Sequence, residues 1–333
     1  MKRQRVAAVL AGAAAVLLPV FVRSQFALDM AILTLFYVGL TAAWNLVTFS
    51  GRLSLGHAAF FGLGAYTATL LFVRAGIPPV IGAAVAVVVS LLGGLLMVLV
   101  MVRLRGPFFT LASIAFAEVL QLVATHWRSL TDGSVGLHIP FRPGWQNLTF
   151  TSKEPYYYIA LALAVLSVWL GHRLYHSSTG YFLRAASSDE EACQALGVNI
   201  KRAQAAALLW SAGMTGLLGV FYAYFIYVIE PTTFFSMELF SLQPALNGII
   251  GGVGTVWGPV LGALVMTPLG EYLRTFLGAM QQGLHFLVYG LVLLVIVRVL
   301  PGGFMSIITG VRARNDDRGS GANERGRSYT AAS

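Results

Sequence analysis

Apolar residues along the chain gather in runs of about 20, the length of an α-helix that crosses a bilayer. Most charged residues lie between those runs. The pattern predicts an all-α, polytopic membrane protein with about ten transmembrane helices. We place the helices at 6–22, 26–48, 55–73, 77–102, 107–127, 156–175, 203–228, 237–256, 258–277 and 283–300.

The start of the third predicted span departs from ordinary lipid-facing sequence. Residues 51–66, here called the signature segment, read GRLSLGHAAFFGLGAY. Small residues four apart on a helix, such as Ala58 and Gly62, let another backbone approach closely. The segment therefore predicts a packed helix start inside the bundle. The residues expected to pack there are Gly56, Ala58, Gly62 and Gly64.

A second glycine-rich run, NGIIGGVGTVWGP at 247–259, joins the eighth and ninth predicted spans. It predicts either a tight hairpin or a broken helix. Irregular backbone at membrane depth is tolerated only where it is buried in protein or lines a cavity. We therefore expect Gly251, Gly252 and Gly254 to lie at close helix contacts.

Composition supports a membrane protein and orients it. Of 333 residues, 57% are hydrophobic and 11% are charged, whereas soluble domains carry about 25% charged residues. The net charge of +9 would suggest a nucleic-acid partner in a soluble protein, but Lys and Arg also gather in the cytoplasmic loops of membrane proteins. Ten spans with a cytoplasmic N-terminus place 16 of the 22 Lys and Arg residues inside. We therefore predict two cytoplasmic termini and an uncleaved first helix.

Two connections are long: the outer loop, 128–155, and the inner loop, 176–202. Within the inner loop, Ser188 and Glu191 have the spacing of a capping box. They predict a short helix at 189–196, which Gly197 ends. The residues alone favour an ordinary connector and a docking helix equally. The tail, 311–333, is polar and charged and is predicted to be disordered.

Four polar residues lie in or beside the predicted spans. Glu118 lies near the middle of 107–127, three residues before Gln121, and an isolated carboxylate there costs at least about 2.5 kcal/mol. A path or gate through the membrane is one interpretation, and a paired structural carboxylate is the other. Ser54 and His57, near the inner interface, are candidates for the same path, although a lone His there is more often a helix contact.

Catalytic motifs are absent from the sequence. A phosphate-binding loop needs Gly-x-x-x-x-Gly-Lys-Ser/Thr, and none of Lys2, Lys153 and Lys201 has that context. Neither His-Glu-x-x-His nor Gly-x-Ser-x-Gly occurs. The single Cys193 rules out an intrachain disulfide and a cysteine metal cluster. We predict no catalytic residue, no metal site and no cofactor in this chain.

Several sequence blocks together resemble the branched-chain amino acid ABC transporter permeases of the LivM type. The blocks occur in family order and cover about residues 30 to 305. They are 51–66, 106–118, 131–137, 180–199, 251–259 and 301–304.

The resemblance implies an importer subunit in the bacterial inner membrane, with a transmembrane permease domain at 1–310. It implies a second homologous permease, a periplasmic substrate-binding protein, and two cytoplasmic ATPases that bind ATP and Mg. Transport would proceed by alternating access. The outer loop would be periplasmic, and the inner loop matches the family's ATPase-engaging loop. The residues expected to couple to the ATPase are Arg184, Asp189, Glu190, Glu191, Ala192 and Gly197.

Three alternatives stay open at this point. A urea or amide importer of the same superfamily has similar permease motifs. A secondary transporter would need no ATPase and would use an ion gradient. An intramembrane enzyme would need a catalytic pair such as His57 with Glu118.

Overall fold

The structure, a computed structural model, describes residues 15–19, 24–104, 106–278, 284–300 and 303–306. The predicted span 6–22 lies largely outside these residues, and the predicted tail 311–333 lies wholly outside them. The helices are α1 (Gln25–Thr48), α2 (His57–Ala75), α3 (Pro79–Arg103), α4 (Pro107–His126), α5 (Arg128–Thr131), α6 (Glu154–Tyr175), α7 (Ser178–Ser188), α8 (Glu190–Ala195), α9 (Ile200–Ile226), α10 (Pro231–Phe234), α11 (Gln243–Gly251), α12 (Gly258–Gly278) and α13 (Leu284–Val299).

Six of the described helices are long and apolar enough to cross a membrane: α1, α2, α3, α4, α6 and α9. Each end of these six helices lies within three residues of the end of the matching predicted span. Helices α12 and α13 lie where the ninth and tenth spans are predicted. The all-α membrane architecture is confirmed, and the total of ten spans stays a prediction.

The eighth predicted span, 237–256, is not one continuous helix. A π-helical turn of five residues (Glu238–Leu242) leads into α11, which has nine residues. At about 1.5 Å per residue this segment is about 21 Å long, whereas the hydrocarbon core is about 30 Å thick. The chain leaves the helix at Gly252, whose φ of 121° suits glycine. Residues 238–278 therefore form a hairpin with one short arm.

Helix α9 packs against α1, α2 and α3 at the centre of the bundle. Its contact with α2 is close because glycine replaces side chains at the crossing: a Cβ at Gly64 would lie 2.1 Å from the Gly216 carbonyl oxygen. Stacked aromatic rings fill the space beside it, with the Phe61 and Phe240 ring centroids 3.7 Å apart. The π-helical turn carrying Phe240 is thus held against the signature segment.

The outer loop is ordered by a small sheet. Strand β1 (Leu137–His138) pairs antiparallel with β2 (Val228–Ile229), which follows α9. Two ion pairs fix the ends of the loop: Arg74 with Asp132 at 2.7 Å, and Lys153 with Asp29 at 2.5 Å. The loop therefore forms a structured cap over one end of the bundle.

Candidate functional site

The inner loop contains two helices, where one was predicted. Helix α7 runs through Ser188, so the prediction that Ser188 is the N-cap of the next helix is wrong. Asp189 takes that role because its backbone is extended and its Oδ1 accepts a hydrogen bond from Ala192 N at 2.9 Å. The predicted short helix exists as α8, at 190–195.

Helix α8 ends as predicted. Gly197 has a φ of 81°, and its N–H donates to the Gln194 carbonyl. The N–H of Val198 donates to the Cys193 carbonyl. These two bonds form a Schellman motif, which satisfies carbonyls that the helix end leaves free. The helix is thus capped at both ends despite its length of six residues.

The outward side of α8 carries apolar residues among polar ones. Ala192, Ala195 and Leu196 are exposed, and Leu196 is 83% exposed, the largest value among the exposed large apolar residues described. The other predicted coupling residues lie differently. Asp189 and Glu191 are exposed, whereas Glu190 turns inward and its carboxylate lies 3.3 Å from the Arg52 guanidinium.

Arg184 faces its own chain. Its guanidinium lies 3.8 Å from the Tyr175 ring centroid and donates to the Tyr175 carbonyl. Beside it, a Cβ at Gly180 would lie 1.9 Å from the Leu174 carbonyl oxygen, so only glycine fits there. Arg184 therefore holds α7 against the end of α6. The capping of α7 by Ser177, whose Oγ accepts from Gly180 N at 3.1 Å, was the sequence signal for this unpredicted helix.

The signature segment begins as extended chain and enters α2 at His57. Side chains of other helices hold the extended part. Trp44 Nε1 donates to the Ser54 carbonyl at 2.8 Å, and Ser113 Oγ accepts from Leu55 N at 2.9 Å. The first turn of a helix leaves N–H groups without intrahelical partners, and Ser241 Oγ satisfies that of Ala58 at 2.9 Å.

Ser54 and His57, two predicted path residues, are enclosed by protein. Both are fully buried. His57 Nε2 lies 2.7 Å from Ser211 Oγ on α9. Gly56, which lies between them, is close to α4: a Cβ at Gly56 would lie 2.6 Å from the Ser113 carbonyl oxygen. In this conformation His57 is a contact between helices, whereas Ser54 Oγ accepts from Gly56 N at 3.4 Å within the signature segment.

Glu118 and Gln121, the other two predicted path residues, lie on α4. Ser113, Ala117 and Ala124 are buried and turn this helix's small-residue side inward. Glu118 consequently points outward and is exposed, and Gln121 is half-buried. Glu118 has no hydrogen-bond or ion-pair partner within the described part of the chain. The four residues thus form two separate sets, and the buried His57 and exposed Glu118 are not a catalytic pair.

The glycine-rich hairpin is fastened to α1 by Asn45, a residue that was not predicted. Asn45 Nδ2 donates to the Thr255 carbonyl at 2.8 Å, and its Oδ1 accepts from Gly254 N at 3.3 Å. A Cβ at Gly251 would lie 1.8 Å from the Gly258 carbonyl oxygen, so the two arms touch backbone to backbone. A lone Asn within an apolar run was the available signal.

Residues 24–297 match the family described as the branched-chain amino acid transport system permease component. The chain belongs to this family. The permease is 27% identical over 281 residues to the high-affinity branched-chain amino acid transport system permease protein LivM of Escherichia coli. That alignment covers 77% of this chain and 65% of the relative. The permease therefore spans slightly under two thirds of the length of the relatives it matches first.

Two further relatives are not described as branched-chain amino acid permeases. The probable ABC transporter permease protein y4mJ of Sinorhizobium fredii is 27% identical, with 67% of this chain and 66% of the relative covered. The ribose import permease protein RbsC of Haemophilus influenzae is 23% identical, with 65% and 66% covered. No solved structure matches the chain significantly.

The family match includes α1 to α12 and every candidate residue described above. Members of this family are permease components of transporters and are not themselves enzymes. The candidate residues of this permease therefore lie in three places: the exposed side of α8, the Glu118 side of α4, and the packed signature segment between them.

Proposed function

We propose that the chain is the transmembrane permease subunit of an ATP-driven, binding-protein-dependent importer for branched-chain amino acids. The observation that carries this proposal is the family match over 24–297 together with the LivM relatives. The transmembrane domain covers 1–310, both termini are cytoplasmic, and the membrane is the bacterial inner membrane. ATP and Mg are bound by the ATPase subunits, and this chain holds no cofactor.

The inner loop is the docking site of the ATPase. Helix α8 is capped at both ends and presents Ala192, Ala195 and Leu196 outward. Adjacent exposed apolar residues rimmed by polar ones favour burial against a partner. Tyr181 on α7 is also exposed and adds an aromatic residue to the same loop. Asp189, Glu191 and Gly197 shape and surround this surface.

The Glu118 side of α4 faces a second permease subunit and the path between the two. A carboxylate exposed to lipid at the bilayer centre costs about 2.5–3.5 kcal/mol. Glu118 has no partner within the described residues to offset that cost. A polar path or a sister subunit would hydrate or pair it, and Gln121 one turn away adds a second polar group. Alternating access then changes which side this path faces.

The outer loop is the contact with the periplasmic binding protein. It is held in shape by the β1–β2 sheet and exposes four large apolar side chains, those of Leu130, Val135, Phe141 and Trp145. Glu230, directly after β2, is exposed beside it. A rigid surface with a few large apolar residues is typical of a protein interface.

The substrate is assigned from the names of the relatives and not from a binding pocket. LivM supports branched-chain amino acids, whereas the ribose import permease RbsC indicates that related permeases serve other substrates. A urea or amide importer is the remaining alternative within the superfamily. Much of the selectivity in such importers lies in the binding protein, so the decisive measurement includes it.

The test is transport by the complex purified from its own membrane with its bound subunits. The complex is reconstituted in vesicles with ATP and its periplasmic binding protein, and the uptake of labelled leucine, isoleucine, valine, ribose and urea is measured. ATP-dependent uptake of the three amino acids supports the proposal. Uptake of ribose or urea alone would correct the substrate. Ion-driven uptake by the isolated chain would identify a secondary transporter and overturn the proposal.

A further inference from the structure

Arg52, the second residue of the signature segment, joins that segment to two others, the end of α3 and α8. Its side chain is only 9% exposed. One guanidinium nitrogen, Nη1, donates to the carbonyls of Met101 at 2.9 Å and Leu104 at 3.1 Å, at the end of α3. The other, Nη2, donates to both Glu190 carboxylate oxygens, at 3.3 and 3.4 Å.

Arginine suits this junction better than lysine. Its planar fork presents donors in two fixed directions, so one side chain reaches a helix end and a carboxylate together. The carbonyls at a helix C-terminus lack intrahelical partners and carry partial negative charge. Arg52 therefore donates hydrogen bonds to two carbonyls that have no partner within α3. It also pairs its charge with one carboxylate on α8. Moving any of the three would change the surroundings of a buried charge.

The neighbouring residue makes the junction continuous. A Cβ at Gly51 would lie 3.2 Å from Ser187 Cβ, so the last turn of α7 rests on the signature segment directly. Residues 51–52 therefore meet the inner loop at two adjacent points. One is the backbone contact of Gly51, and the other is the Arg52–Glu190 ion pair.

From Arg52, hydrogen bonds lead on to α4. Thr110 Oγ1 donates to the Leu53 carbonyl at 2.7 Å, and Leu55 N donates to Ser113 Oγ at 2.9 Å. Helix α4 is the helix that carries Glu118. A contiguous set of contacts thus runs from α8, through the extended part of the signature segment, to the helix proposed to line the path.

We infer that Arg52 is a positioning residue that transmits displacement of α8 to the signature segment and α4, and so couples the ATPase to the path. This inference rests on the proposed function. Arg52 touches neither substrate nor nucleotide, and it acts through Glu190. A contiguous set of contacts becomes a coupling route only if both ends bias the same element. The inference therefore requires a measured coupling between Arg52 and Glu190.

The test compares Arg52→Gln, Glu190→Ala and the double variant in the reconstituted native complex, with leucine as the probe. Uptake per ATP hydrolysed is measured, together with co-purification of the ATPase subunits. We expect each single variant to lower this ratio about 5-fold or more while the ATPase still co-purifies. The double variant should be no worse than either single one, because both remove the same contact.

Conservative variants and a matched ion pair separate coupling from folding. Glu190→Gln and Arg52→Lys retain part of the contact and should lose less than Glu190→Ala and Arg52→Gln. Glu271→Gln breaks the Glu271–Arg274 ion pair on α12 and should leave the ratio unchanged. If Arg52→Gln fails to assemble, the two Glu190 variants decide.

Two outcomes overturn the inference in distinguishable ways. If the wild-type complex transports but the Glu190 variants keep its uptake per ATP, only the role of Arg52 is refuted. Additive losses of that ratio in the double variant would refute the same role. A wild-type complex without ATP-driven uptake would refute the proposed function, and the inference with it.

Discussion

His57 Nε2 lies 2.7 Å from Ser211 Oγ, in a fully buried contact between α2 and α9. The polar residue that the sequence offers as a path candidate is thus bonded to a second buried polar residue. Such a pair holds two helices in one relative position. If the helices slide, both buried polar groups lose their hydrogen-bond partner.

Ser211→Ala should destabilise the protein by about 1–3 kcal/mol, since it leaves the buried His57 nitrogen without its partner. The thermal midpoint of the purified protein measures the effect. Ser178→Ala, at an exposed residue of α7, is the matched control and should not change the midpoint. A loss of uptake with an unchanged midpoint would instead show that the pair contacts substrate.

Asp189→Ala should destabilise α8 by about 1 kcal/mol, because Asp189 caps it. Ser188→Ala should have little effect, since Ser188 is the last residue of α7. Hydrogen exchange of the amides of Ala192 and Cys193 measures the difference. Faster exchange in Ser188→Ala than in Asp189→Ala would support Ser188 as the N-cap, as the sequence predicted.

Gly64→Ala should severely reduce the amount of folded protein, because the new Cβ would lie 2.1 Å from the Gly216 carbonyl oxygen. Backbone on both sides leaves no flexible group to move aside. Gly290→Ala on α13 is the matched control, since nothing lies within 4 Å of a Cβ there. It should be neutral or gain up to about 1 kcal/mol from helix propensity. Equal yields of the two variants would contradict the close α2–α9 crossing.

The apolar runs predicted the long helices well because the length and composition of a span are local properties. The prediction of one continuous helix at 237–256 failed because hydropathy does not show where the chain reverses. Gly252 ends α11 within an apolar stretch. Ser188 and Asp189 are both suitable caps, and only the continuation of α7 through Ser188 separates them.

The candidate site was harder to predict because it depends on helix rotation and on contacts distant in sequence. The buried side of α4 is formed by Ser113, Ala117 and Ala124, and this rotation points Glu118 outward. The Arg52–Glu190 pair joins residues 138 positions apart. No local pattern marks that pair, although both residues lie in blocks that the sequence had singled out.

Leu196→Asp should greatly reduce co-purification of the ATPase, because it would bury an unpaired carboxylate in the proposed interface. Leu196 is 83% exposed, so the substitution should leave the fold intact. Val135→Asp makes the same change at a residue 75% exposed in the outer loop. It should retain the ATPase and weaken binding of the periplasmic protein. Retention of the ATPase by both variants would refute docking through α8.

Glu118 provides the sharpest test of which surface of α4 meets water. In a Cys193→Ala background, Glu118→Cys should react with a membrane-impermeant thiol reagent in the assembled complex, because a path between two permeases is hydrated. Leu92→Cys is the matched control, since Leu92 is 57% exposed on the apolar side of α3 and lipid excludes the charged reagent. Saturating leucine should slow labelling of Glu118→Cys if substrate passes beside it. Labelling as slow as that of Leu92→Cys would place this side of α4 in lipid or in a closed interface, and the path would have to lie elsewhere.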